Sequence, residues 1–244
     1  MRRRKQVPAW LTPASEPWFP DPSLFDREGL VAVGGDLEPA RLLLAYSRGI
    51  FPWYSEGVPP LWWSPDPRAL LTPRALHVSR SLSRTLRRGG FLLSWNRCFR
   101  RVMAECGERR AEGTWVLPEM LDAYTRLHEL GAAHSLEVWC GEELAGGIYG
   151  VQVGALFAAE SMFHVRSNMS KVALVALVRT LFAAGVELLD VQFVTPHLLT
   201  MGAFEVPRAE YLQRLPAACA GRVSLAAVVP DPFAGTDAPR ARGH

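Results

Sequence analysis

The stretch GGIYGVQVGALFAAESMFHVRSNMSKVALVALVRTLFAAGVELLDVQ, residues 146–192, decides the fold. Its first part has the period of two that is typical of strands, and a turn near Gly154 predicts two antiparallel strands over residues 144–153 and 155–163. A helix that is apolar on nearly all sides is predicted over residues 170–184. Residues 188–191 are then predicted to form a strand parallel to the one before the helix, because a helical crossover joins parallel strands.

Three polar side chains in this stretch stand among apolar neighbours: Glu160, Asp190 and Gln192. Burying a carboxylate without a partner costs several kcal/mol. The three residues therefore indicate either a functional site or an internal hydrogen-bond network. Asp190 and Gln192 are two residues apart on one predicted strand, which places their side chains on the same face.

The segments before this stretch extend it into a larger fold. Residues 135–139 alternate like a strand and complete a three-stranded meander, and helical periodicity is present over residues 79–88, 96–106 and 118–130. With a last helix over residues 207–215, this order predicts an α+β fold in which helices flank a mixed sheet. The layout is similar to that of the GNAT acyltransferases.

Proline and aromatic residues mark a predicted domain boundary near residues 64–67. We expect a small N-terminal domain over residues 1–66 and a larger GNAT-like domain over residues 67–232. Residues 233–244 are polar and rich in proline, and are predicted to be a disordered tail.

Composition excludes several classes of protein. The chain has 244 residues, of which 49% are hydrophobic and 21% are charged, as in ordinary globular proteins. A run of about 18 apolar residues is missing, so no transmembrane helix is expected, and the basic N-terminus lacks the apolar segment of a signal peptide. The four cysteines include no C-x-x-C pair, so neither a zinc site nor a disulfide framework is predicted, which fits a reducing cytoplasm.

A row of arginines lies on one face of the predicted helix over residues 79–88. Its members, at helical spacings, are Arg80, Arg84, Arg87 and Arg88. A row of one sign suits a phosphate backbone, although a solvated helix face has the same pattern.

Residues 50–68 combine prolines with large aromatic side chains, including Phe51, Trp53, Trp62 and Trp63. So many prolines exclude a regular helix. The segment is therefore either a rigid core between two domains or a stacking surface for a base or an apolar side chain.

Nine motifs then point to one enzyme family. They are Gly34-Gly35-Asp36-Leu37, Gly49-Ile50-Phe51-Pro52-Trp53, Trp62-Trp63-Ser64-Pro65-Asp66-Pro67-Arg68, His77-Val78-Ser79-Arg80-Ser81, Gly113-Thr114-Trp115, His134-Ser135-Leu136-Glu137-Val138-Trp139, Gly146-Gly147-Ile148-Tyr149-Gly150, Glu160-Ser161-Met162-Phe163 and Met201-Gly202-Ala203. In this order they resemble the leucyl/phenylalanyl-tRNA–protein transferase family.

The resemblance implies an activity and its partners. Members of this family move leucine or phenylalanine, and methionine less well, from aminoacyl-tRNA to proteins with N-terminal arginine or lysine, which creates an N-degron for protein degradation. The donor ester is already activated and the nucleophile is an α-amine, so no cofactor and no metal are expected. We expect a cytoplasmic monomer that binds neither DNA nor a membrane.

The resemblance also implies roles for individual residues. Gln192 orients the attacking amine, Asp190 holds Gln192 and offsets the developing positive charge, and Glu160 meets the cationic N-terminal residue of the acceptor. The implied pocket for the amino-acid side chain consists of Ile148, Phe157, Met162, Leu177, Leu181 and Leu189. The implied adenosine-binding residues are Tyr46, Trp53, Trp115 and Tyr124. The arginine row matches the positions that bind tRNA.

Two other functions remain open on the sequence. A GNAT-type N-acyltransferase that uses acyl-CoA needs a glycine-containing pyrophosphate turn before the buried helix, and residues 166–171 lack those glycines. A catalytically silent RNA-binding module explains the arginine row but gives Glu160, Asp190 and Gln192 no role.

Overall fold

The computed structural model describes residues 6–13, 15–108 and 116–235. Trp115 and residues 236–244 of the predicted tail lie outside these ranges. Within them, no helix has the length and apolar character that a membrane crossing requires.

The first part of the chain forms a four-stranded sheet with one helix. Its elements are β1 (Ala9–Leu11), β2 (Leu30–Gly34), α1 (Pro39–Ser47), β3 (Phe51–Pro52) and β4 (Leu61–Trp63). The strand order is β1-β2-β4-β3, with β1 parallel to β2 and the other pairs antiparallel. The predicted aromatic segment thus supplies two short strands, and Trp62 on β4 is fully buried.

The rest of the chain forms a seven-stranded sheet covered by helices. The elements are β5 (Arg68–Leu70), α2 (Arg80–Arg88), β6 (Leu92–Trp95), α3 (Phe99–Glu108), α4 (Pro118–Glu129), β7 (Ala133–Cys140), β8 (Glu143–Val153), β9 (Leu156–His164), α5 (Met169–Ala183), β10 (Leu188–Gln192), α6 (Pro196–Thr200), β11 (Phe204–Val206) and α7 (Arg208–Ala220). The strand order is β11-β5-β10-β9-β8-β7-β6.

This arrangement confirms the predicted α+β class. The meander β7-β8-β9 is antiparallel, and β10 pairs with β9 in parallel through the α5 crossover, as the sequence pattern predicts. The GNAT-like layout is compatible with this mixed sheet. The sequence pattern does not predict β5, β6 and β11, because strands of three or four residues are too short to show a period of two.

Helix α5 is the centre of the packing. Eleven of its residues are buried, which explains why it is apolar on nearly all sides. Gly146 on β8 allows α5 to come this close, because a Cβ at Gly146 would lie 2.8 Å from Cβ of Met169.

Candidate active site

Asp190 on β10 is the most completely bonded side chain of the site. Its Oδ1 accepts hydrogen bonds from Nε of Arg68 at 2.9 Å and from the backbone N–H of Gln192 at 2.8 Å. Its Oδ2 accepts from Nη2 of Arg68 at 2.6 Å and from the hydroxyl of Tyr211 at 2.9 Å. The carboxylate is 1% exposed, and this pairing compensates its burial.

Arg68 on β5 is held as firmly as its partner. Its guanidinium lies 4.8 Å from the centroids of both the Phe51 and the Tyr211 rings, and its Nη1 donates to the carbonyl of Gly49 at 3.0 Å. Burial alone lowers the pKa of Arg68, but the Asp190 carboxylate more than reverses this, so the pKa lies above its usual value. Arg68 therefore stays charged and neutralises Asp190.

Gln192 ends β10 in a backbone conformation that is rare for a residue other than glycine. Its φ is +63°, and the pairing of β10 with β5 shifts register between Asp190 and Gln192. The Nε2 of Gln192 donates to Oε1 of Glu160 at 2.6 Å. The simple alternation that we expected for Asp190 and Gln192 therefore does not continue to Gln192, and their side chains have different partners.

Glu160 on β9 connects Gln192 to two buried tyrosines. The hydroxyls of Tyr46 and Tyr124 are 2.6 Å apart, and Tyr46 also forms a hydrogen bond with Glu160. Burial raises the pKa of Glu160 to about 8, against the hydrogen bond from Tyr46 and the charge of Arg68, which lower it. Glu160 is thus a carboxyl group that can gain or lose a proton near neutral pH.

Glu160 also lines a mostly apolar cavity of about 50 Å³. The lining residues are Ile148, Ala159, Glu160, Ser161, Met162, Leu174, Val191 and Leu198. Of the six residues predicted for the side-chain pocket, Ile148 and Met162 line this cavity. The other four, namely Phe157, Leu177, Leu181 and Leu189, are buried in the adjoining core.

An exposed aromatic surface lies beside Gln192. Trp53 is 46% exposed, and its ring centroid is 5.6 Å from that of Phe193 and 6.2 Å from that of Trp63. The ring of Phe193 also packs against Phe51, which covers Arg68. Of the predicted adenosine-binding residues, Trp53 is thus accessible, Tyr46 and Tyr124 are fully buried, and Trp115 lies outside the described ranges.

The arginine row lies on the exposed face of α2. Ser79 caps the helix through Leu82 N–H, and Leu82 and Leu86 are buried on the opposite face. All four arginines are exposed.

Sequence reasoning missed Arg68 and Tyr211 as parts of the site. The sequence around Arg68 does contain a signal of burial, because this single charge stands directly before the apolar residues Ala69, Leu70 and Leu71. Tyr211 gives none, because a tyrosine on an amphipathic helix is ordinary. The site can position a substrate by hydrogen bonds and exchange a proton at Glu160, next to a cavity for an apolar group.

Comparison with known proteins identifies the family. Residues 70–216 match the model of "Leucyl/phenylalanyl-tRNA protein transferase", and residues 35–66 match that of its N-terminal domain. A protein named leucyl/phenylalanyl-tRNA–protein transferase from Anaeromyxobacter sp. (strain K) is 58% identical over 203 residues, which are 82% of this chain and 87% of the relative.

Proteins of the same name from other organisms, at lower sequence identity, agree with this match. The relative from Magnetococcus marinus is 52% identical over 88% of this chain and 94% of its own length. The relative from Escherichia coli O7:K1 is 51% identical over 81% of this chain and 85% of its own length. The chain therefore belongs to the leucyl/phenylalanyl-tRNA–protein transferase family.

Proposed function

We propose that this protein moves leucine or phenylalanine, and methionine less well, from aminoacyl-tRNA to the α-amine of proteins that begin with arginine or lysine. The product carries an N-degron, and we expect the reaction in the cytoplasm. Family membership supports the transfer from aminoacyl-tRNA to protein. The observation that carries the finer proposal is the bond between Gln192 and Glu160 beside an apolar cavity.

The cavity fits the side chain of the donor amino acid. A buried water needs about 10–15 Å³ on the same measure, so about 50 Å³ holds roughly four waters, similar to the four carbons of a leucine side chain. Phenylalanine and methionine need the wall to move. Met162 is unbranched and flexible, so it can make that adjustment.

Gln192 is suited to hold the attacking amine. Its Nε2 is engaged by Glu160, which leaves Oε1 to accept an N–H of the amine. The amine nitrogen forms the new bond to the ester carbonyl carbon, the bond to the ribose oxygen breaks, and that oxygen takes up the proton that the amine loses. A free α-amine has a pKa of about 7.7–8.0, so a useful fraction is neutral at cytoplasmic pH.

Asp190 acts on this step by holding Gln192. Its carboxylate accepts the Gln192 backbone N–H and is neutralised by Arg68, so it has little charge left to offset a developing cation. Glu160 is the carboxyl group better placed to meet the cationic first residue of the acceptor, because it is hydrogen-bonded to Gln192 and lines the cavity.

The remaining parts of the donor are assigned to two surfaces. Trp53 is exposed and can stack on the terminal adenosine, with Trp115. Tyr46 and Tyr124 are buried and act indirectly: Tyr46 holds Glu160 by a hydrogen bond, and Tyr124 holds Tyr46. The arginine row of α2 binds tRNA phosphates, which carry no sequence information and so allow different tRNAs to bind.

The test is transfer from Leu-tRNA and Phe-tRNA to a peptide that begins with arginine, with the N-acetylated peptide as control. We expect product only with the free amine. The Glu160→Gln variant should raise KM for this peptide roughly 10- to 100-fold, because the amide keeps an acceptor oxygen but loses the negative charge that strengthens a bond to the cationic residue. No transfer to the arginine peptide, together with transfer to a different acceptor, would contradict the proposal.

A further inference from the structure

A cluster of basic side chains lies beside the cavity and has no role in the function proposed above. His164 is the last residue of β9, Lys171 is in the first turn of α5, and His197 is in α6. His164 is exposed, and Lys171 and His197 are half-buried. We refer to His164, Lys171 and His197 as the basic cluster.

The three side chains are close enough to influence one another. Burial lowers the pKa of His197, and the positive charges of Lys171 and His164 lower it further. Nδ1 of His164 also lies 3.4 Å from the hydroxyl of Ser170, the neighbour of Lys171. Two imidazoles and the amine of Lys171, from three separate elements, thus lie close together.

Nothing in the described part of the chain neutralises the basic cluster. None of its members forms an ion pair with a carboxylate of residues 6–13, 15–108 or 116–235. The Nε2 atom of His197 is buried and has no hydrogen-bond partner among the same residues. Because a buried polar atom without a partner costs free energy, a ligand that reaches this nitrogen and forms a hydrogen bond with it would be favoured.

Each member of the basic cluster is tied to the cavity through its own element. Met162, two residues before His164, lines the cavity, as do Leu174, one turn after Lys171, and Leu198, directly after His197. Along β9, His164 is about 13 Å from Glu160, at about 3.3 Å per residue. The basic cluster therefore marks one rim of the cavity.

The helix that carries His197 is also linked through the backbone to the segment that precedes the arginine row. The backbone N–H of His77, three residues before α2 begins, donates to the carbonyl of Met201 at 2.9 Å, directly after α6. The end of α6, the helix that carries His197, is therefore fixed against the segment that leads into α2 and its arginine row. An acceptor that begins with arginine or lysine is repelled by the arginine row and by Lys171, whereas a phosphate is attracted.

We propose that His164, Lys171 and His197 bind a backbone phosphate close to the aminoacylated 3′ end of the donor RNA. The RNA strand then runs from the arginine row across α6 to this point. This inference rests on the proposed use of aminoacyl-tRNA. This phosphate contact would add to the binding of the donor independently of the amino acid and of the adenine ring.

The test compares three donors: whole aminoacyl-tRNA, an aminoacylated CCA trinucleotide and an aminoacyl-adenosine without phosphate. We expect Lys171→Gln to raise KM for the trinucleotide about tenfold, the scale of one charge-assisted contact, and to leave KM for the aminoacyl-adenosine unchanged. Arg214→Gln, which removes an exposed cation from α7, is the matched control and should leave both values unchanged.

Two results would overturn the inference. One is an equal rise of KM for both short donors, which would mean that Lys171 acts on the cavity itself. The other is no change for the trinucleotide. Direct binding of the deacylated trinucleotide separates this inference from the proposed function. Even if the wild-type protein transfers an amino acid from none of the donors, Lys171→Gln should weaken binding of the trinucleotide about tenfold. Equal binding by the wild-type and variant proteins would overturn the inference.

Discussion

At the scale of single residues, Asp190 shows what a sequence can and cannot predict. A carboxylate within LLDVQ must find a partner, so its importance could be read from its apolar neighbours alone. The partner could not, because Arg68 lies 122 positions earlier and no local pattern relates the two. The left-handed conformation of Gln192 was equally hidden, because glutamine has no special preference for it.

Glu160 makes protein stability depend on pH in a direction that can be calculated. Its pKa is raised from the model-peptide value of 4.5 to about 8 in the folded protein, so the folded state binds the proton more tightly than the unfolded state. This contribution to stability is complete below about pH 4.5 and is lost as pH rises through about 8. Linkage predicts that the free energy of unfolding falls by about 2 kcal/mol between pH 6 and pH 8 because of this group.

Urea denaturation of three proteins at these two pH values measures the effect. The Glu160→Gln variant should lack the fall assigned to Glu160. Glu205→Gln, which removes an exposed carboxylate on β11, is the matched control and should keep it. A fall of the same size in the wild-type and Glu160→Gln proteins would show that another group is responsible.

At the scale of elements, predictions were best where one pattern continued over many residues. The meander strands β8 and β9 and the helix α5 have 11, 9 and 15 residues, and all three were predicted. The strands β5 and β11 have three residues each and are defined by their neighbours in the sheet rather than by their own sequence. That difference matters for function, because β5 carries Arg68.

Helix α2 leads to a prediction about salt. Its four arginines are exposed, while Leu82 and Leu86 fix the helix to the core, so the arginines are free to contact phosphates. If each neutralises one phosphate, replacing Arg84 with glutamine should reduce the slope of log K for tRNA binding against log salt by about 0.7–0.9. Glutamine preserves helix propensity, so thermal stability should stay the same.

Titration of tRNA at several salt concentrations checks this slope. Arg214→Gln changes the charge by the same amount but on α7, where Glu210 pairs with the arginine, and it should keep the wild-type slope. Equal slopes for all three proteins would mean that the arginine row is a solvated helix face, which is the other interpretation that the sequence allowed.

At the scale of the whole molecule, the N-terminal residues share one core with the rest of the chain. The largest apolar cluster contains Leu42 and Trp62 together with Tyr124 and Tyr149. Polar contacts reinforce this continuity: Arg208 on α7 donates to the carbonyls of Ser64 and Phe25, and Arg68 donates to that of Gly49. The predicted boundary at residues 66 and 67 therefore crosses a packed region, and the boundary itself stays a prediction.

This continuity predicts that the protein unfolds as one unit. Heating followed by both far-ultraviolet circular dichroism and tryptophan fluorescence should give one transition at one temperature, because separating residues 6–66 from the rest would expose the shared core.

Arg208→Leu should lower the free energy of unfolding by roughly 2–4 kcal/mol, because the carbonyls of Ser64 and Phe25 lose a charged donor, and the transition should remain single. Arg214→Leu, on the exposed side of the same helix, should change stability by less than about 0.5 kcal/mol. Two separated transitions in the wild-type protein would instead show that the N-terminal residues fold independently, and Asp190 would then keep its pairing with Arg68 after the first transition.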